Sequence, residues 1–159
     1  MILMSKLEQK LAELQLKLPE LPAKEYPFAA GVVVDKLVFM SGQTPTVNGS
    51  PAYQGIVGST VSVEDAQQAA VICTLNLLAA LKRMIGDLDQ VHRIVKLNGY
   101  VACTPDFGAQ PQVINAASNL LNELFGSDMK HARAAVGVAA LPNNVPVEIE
   151  MVVELKQSV

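Results

Sequence analysis

The stretch that decides the fold is His131–Leu155, HARAAVGVAALPNNVPVEIEMVVEL. It reads as two strands joined by a turn. From Arg133 to Leu141 the side chains alternate: Arg133, Ala135, Gly137, Ala139 and Leu141 share one face, and Ala134, Val136, Val138 and Ala140 the other. The turn LPNNVP follows. In Val147–Leu155, Val147, Ile149, Met151 and Val153 face one way, and Glu148, Glu150 and Glu154 face the other. A period of two with one apolar face is the mark of a strand packed on a core. The turn is expected to fold the glutamates back towards the strand that Arg133 heads. An arginine and a glutamate on paired strands make a partly buried polar site. The guanidinium forks onto a carboxylate ligand, and Glu148 holds a water or moves a proton. The same pattern also fits an Arg133–Glu148 ion pair at a subunit contact, and Glu150 and Glu154 fit a solvated strand face.

Upstream of this pair, Ser62 to Ile85 is the clearest helix. Ser62 is a good N-cap, Glu64 and Asp65 suit the positive end of the helix dipole, and Lys82, Arg83 and Gly86 suit the other end. Ala66, Ala69, Ala70, Cys73, Leu77, Leu81 and Met84 form its apolar stripe, widened by Leu75 and Leu78. A second helix spans Pro111–Phe125, with Val113, Ile114, Ala117, Leu120, Leu121, Leu124 and Phe125 inward and Gly126 ending it. Between them QVHRIVKLNGYVAC is a strand. Its alternation sets Val91, Arg93 and Val95 against His92, Ile94 and Lys96.

Nearer the N-terminus, FAAGVVV and KLVFMSG flank a tight turn at Asp35-Lys36, and a long loop follows with a small hairpin at Asn48-Gly49. Residues 4–17 read as an extra N-terminal helix capped by Ser5, and PELPAKEYP as a Pro-rich connector. Residues 1–24 therefore precede a domain over 25–159. The order β-β-α-β-α-β-β predicts an α+β sandwich, a mixed sheet of about six strands with two helices on one face. The other face is bare unless another subunit covers it.

Composition narrows the function classes. In 159 residues, half are hydrophobic and 17% charged, with a net charge of −3. So apolar a chain is expected to oligomerise, yet no run approaches the roughly 18 apolar residues of a membrane span. The twelve Lys and Arg form no basic run, Trp is absent and aromatics are 4%, which argues against general nucleic-acid binding. Cys73, Cys103, His92 and His131 show no metal-ligand spacing, so no metal or cofactor is expected. Cys73 is expected in the core. MILMSKLEQK lacks the pattern of a signal peptide, and two unpaired cysteines suit a reduced, cytoplasmic protein.

Four segments, KLVFMSGQTP, GDLDQVHRIVKLNGYVACTPDF, VINAASNLLNELFG and HARAAVGVAALPNNVPVEIE, in this order and at these separations, resemble the RidA/YjgF (L-PSP) family over roughly residues 25–155. The N-terminal helix, the long middle loop and the HARxAVGVAALP motif resemble its longer YjgF-like branch. The resemblance implies a chorismate-mutase-like fold. It also implies a homotrimer whose bare sheet faces form a central barrel, with ligand clefts between subunits. The implied activity is hydrolysis of reactive enamines and imines, such as 2-aminoacrylate, to keto acids and ammonia, with no cofactor and no membrane or nucleic-acid partner. Arg133 matches the family's carboxylate-binding arginine and Glu148 the glutamate that positions water. Gly42 matches the glycine of the SGQ motif, and Asn115 an asparagine starting the second helix. The position of a family tyrosine, thirteen residues before the SGQ serine, is Phe28 here, with Tyr26 nearby. A family cysteine and glutamate become Ala135 and Gly137. Two other readings share the resemblance: a non-catalytic trimer that binds small carboxylate metabolites, and an endoribonuclease.

Overall fold

The computed structural model describes residues 3–159; Met1 and Ile2 of the expected N-terminal segment lie outside them. Helix α1 spans Lys6–Glu13, shorter than the expected 4–17. Ser5 and Glu8 close a reciprocal capping box, and Leu7 and Leu11 are buried while Leu14 ends the helix partly exposed. The Asp89 carboxylate accepts from the Lys6 and Leu7 N–H groups, and Lys82 pairs with Glu8 at 2.6 Å.

Strands β1 (Gly31–Val34) and β2 (Leu37–Met40) form a hairpin over the Asp35-Lys36 turn. The small hairpin β3 (Thr46–Val47) and β4 (Ser50–Pro51) turns at Asn48-Gly49, both at positive φ, as a two-residue loop demands. Helix α2 runs Val63–Ile85, with Ser62 accepting from the Asp65 N–H at its start. It has the length and hydropathy of a membrane span, yet 56% of its most apolar window is buried inside the protein. Then come β5 (Val91–Ala102), α3 (Gln110–Phe125), β6 (Ala132–Val138) and β7 (Val147–Leu155).

The main sheet has five strands, ordered β1-β2-β7-β5-β6, rather than about six; β3 and β4 stand apart. Strand β6 ends at Val138, short of the expected Leu141. It does not pair with β7, which corrects the expected hairpin. The β5–α3–β6 crossover sets β6 parallel to β5 on the outside of the sheet, as crossovers between parallel strands require. The turn through Asn143 and Asn144, both left-handed, then carries the chain across to the far side of β5. There the alternating pattern of β7 fills the central slot between β2 and β5. Bulges between Val91 and Arg93 and between Ile94 and Lys96 break the simple alternation expected in β5. Ile94 enters the core, whereas Lys96 does not share its burial.

Helices α2 and α3 cover one face. Leu77, Leu78 and Leu81 of α2 and Ile114 and Leu121 of α3 meet Leu97, Ile149 and Met151 in the core. A Cβ at Gly99 would lie 2.5 Å from Ile114, so glycine is what lets α3 seat this close to β5. The opposite face is uncovered and carries Val32, Val34, Phe39 and Val136, each about half exposed.

Candidate functional site

Two polar groups flank the central strands, on opposite faces of the sheet. Arg133 pairs with buried Leu97, so it points to the helix-covered face. Its Nη1 donates to Asn115 Oδ1 at 2.8 Å and to Ser118 Oγ at 3.1 Å. Asn115 and Ser118 are three apart on α3 and present one face. Asn115 lies in the second turn of the helix, not at its start. Ser118 Oγ also meets His131 Nε2 at 2.9 Å. Burial and the Arg133 charge lower the His131 pKa. No carboxylate pairs with Arg133 among the described residues, so an Arg133–Glu148 ion pair within one chain is ruled out.

Glu148 belongs to the open face. It pairs with Tyr100, which pairs with Val136. It abuts the backbone of Gly42, where a Cβ would lie 2.8 Å from its Oε1. Burial and the neighbouring Glu150 raise its pKa. Glu150 does not stand free in solvent: it is half-buried and accepts from Tyr100 at 2.6 Å and Asn98 at 3.2 Å. That bond, with burial behind it, pushes the Tyr100 pKa up to about 12. The arm bearing Phe28 is tied to this side by Ser41, whose hydroxyl donates to the Ala29 carbonyl at 2.6 Å. The Phe28 ring itself is exposed and stacks on Tyr26, with centroids 5.2 Å apart.

The sequence-predicted residues thus fall into two sets. Arg133 and Asn115 meet on one face; Gly42 and Glu148 meet on the other, with Phe28 on the adjoining arm. Ala135 and Gly137 follow Arg133 on its face, and Cys103 Sγ stands 2.7 Å from where a Gly137 Cβ would be. Sequence reasoning missed Ser118, His131, Asn98 and Tyr100. Their signals were there: Ser118 lies one turn from Asn115, His131 shares the alternation parity of Arg133, and Asn98 and Tyr100 share one strand face.

Residues 8–155 match the family model described as "YjgF/chorismate mutase-like, putative endoribonuclease". The chain belongs to this family. Protein TCP17 of Trypanosoma cruzi is 38% identical over 146 residues, 91% of either chain. The crystal structure of Atu1372 from Agrobacterium tumefaciens superposes with a TM-score of 0.86 at 43% identity, over 94% of this chain and 91% of that one. A Shewanella oneidensis protein described as a "putative endoribonuclease" gives 0.88 at 30% identity, over 94% and 99%. The α+β fold is therefore the YjgF family's.

Proposed function

We propose that the protein hydrolyses reactive carboxylate-bearing imines and enamines to keto acids and ammonia, in clefts between the subunits of a homotrimer. The observation that carries this reading is Arg133: a partly buried guanidinium braced by neutral groups, with no carboxylate paired to it among the described residues. Such a cation is a ready partner for a carboxylate. Glu148 lies on the wrong face to serve the same cleft within one chain, but an edge strand of one copy set against the open face of another brings the two sets together.

In that cleft Arg133 holds the carboxylate and fixes the C=N carbon relative to Glu148. The raised pKa of Glu148 suits it to both halves of the reaction. Protonated, it gives its proton to the imine nitrogen. Ionised, it orients the water that adds to the imine carbon. The resulting carbinolamine loses ammonia and leaves the keto acid. An imine is already electrophilic, so holding the carboxylate and orienting one water is enough. The test is the decay of 2-iminopropionate: wild type accelerates it and Arg133→Ala does not. An Arg133→Ala protein with wild-type rate and intact assembly overturns the proposal.

Phe28 favours a second reading, a trimer that binds small carboxylates without turnover, because its ring supplies no hydroxyl to a bound substrate. A thermal shift with keto acids that depends on Arg133, beside an inert imine assay, selects it. Ribonuclease action is the weakest reading, since the net charge of −3 opposes a polyanion.

A further inference from the structure

Ser118 touches both Arg133 and His131, and the proposed reaction gives a step to neither Ser118 nor His131. We infer that the Ser118–His131 pair is a positioning device for Arg133, and that protonation of His131 and binding of a carboxylate at Arg133 reinforce one another. The inference deepens the proposed function and rests on Arg133 being its anion clamp.

Hydrogen-bond accounting sets the arrangement. Both Nη1 protons of Arg133 are committed, one to Asn115 and one to Ser118. Nε and Nη2 have no partner among the described residues, so the edge they form is the fork left for a carboxylate. The Ser118 oxygen accepts from Arg133, and its own proton needs an acceptor. It makes no bond back to a carbonyl one turn earlier, as Thr74 does on α2. His131 Nε2 lies within reach at 2.9 Å; assigning it the acceptor role puts the neutral ring's proton on Nδ1. Ser118 is 9% exposed, so water does not readily replace these partners.

Protonation changes both hydrogen bonding and charge. His131 Nε2 becomes a donor to Ser118, whose oxygen then accepts twice and whose proton is released. A second cation now stands beside Arg133. The charge acting on His131 is Arg133, two residues on in β6; Lys130 precedes it in sequence, Arg93 on β5 donates to the Lys130 carbonyl, and α3 sets the neutral Ser118 against the ring. No carboxylate pairs with His131 among the described residues. A ligand carboxylate on Arg133 would therefore add an anion beside His131, where the charge acting on the ring is that of Arg133. It favours imidazolium, and by reciprocity imidazolium favours the anion.

The experiment follows the His131 ring by NMR while titrating assembled protein with pyruvate across the acid range. Pyruvate binding is expected to raise the His131 pKa, and wild-type affinity for pyruvate to tighten as pH falls through it. Ser118→Ala is expected to weaken pyruvate binding about tenfold, with Ser118→Thr restoring it. His131→Gln, whose amide oxygen still accepts from Ser118, is expected to keep the neutral-pH affinity and lose the acid-side tightening, although Glu148 still titrates in it. Wild-type affinity in Ser118→Ala, or an unchanged His131 pKa on binding, overturns the inference. Unchanged pyruvate binding in Arg133→Ala overturns the clamp itself, so the two failures are told apart.

Discussion

Burial and Glu150 hold the Glu148 carboxyl above its ordinary pKa, so ionising it works against folding. The folded protein gains relative stability below the unfolded pKa and loses that increment as pH rises through the folded value. Glu148→Gln is accordingly expected to raise the melting temperature near neutral pH, by roughly 2–4 °C if about 1 kcal/mol is recovered, and to abolish imine hydrolysis. A melting temperature that falls at neutral pH contradicts this account. Gly42→Ala separates the same two quantities from the other side. Its methyl would press on Glu148 Oε1, the far end of a flexible side chain, so stability should change by under about 1 kcal/mol. The displaced carboxyl should cost roughly tenfold or more in hydrolysis rate. Arg133 and Glu148 were legible in the sequence as a charge heading an apolar strand and an acid alternating with apolar residues. Which face each occupies was not, because that depends on a strand inserted between theirs.

Helix α3 connects the fold to the site, since it packs against β5 and also carries Asn115 and Ser118. Gly99→Ala should displace it: the added methyl meets three atoms of buried Ile114, a cost of about 1–3 kcal/mol. Pyruvate binding should weaken more than the loss of stability explains, as calorimetry on the folded variant can show. Helix α1 is held differently, by two buried leucines, the Lys82–Glu8 pair and the Asp89 carboxylate at its N-terminal N–H groups. Asp89→Ala leaves those donors without their acceptor. Trypsin should then cut at Lys10 or Lys17 sooner, while imine hydrolysis persists. The two long helices and the hairpin turns were readable from caps, stripes and Asn-Gly chemistry, which are local. The partner of β6 was not, because parallel pairing is fixed by the crossover through α3 and leaves no mark on the strand itself. The bulges in β5 escaped for a similar reason: they record a mismatch with β7 that only the assembled sheet contains.

At the scale of the molecule, the apolar composition is accounted for only in part by the core, since Val32, Val34, Phe39 and Val136 remain on the open face. Under the proposed assembly these side chains meet their counterparts in two other copies. Sedimentation should give three times the 17.0 kDa chain mass. Val136→Asp should yield a folded monomer without hydrolytic activity, because a buried unpaired charge is costly in the assembly and harmless in the free chain. A trimeric, active Val136→Asp protein would exclude this face as the contact. The placement of Arg133 and Glu148 on opposite sides of one sheet has a statistical consequence as well. Under the proposed reaction Arg133→Ala and Glu148→Gln should each be inactive alone, yet each would still carry the half that the other lacks. Unfolded together in equal amounts and refolded, they should form mixed rings. An interface then works when an Arg133-bearing chain meets a Glu148-bearing neighbour in the right order, which by chance gives about a quarter of wild-type activity for a cyclic assembly. Two dead proteins would complement each other, and the recovered fraction would count how many chains build one site.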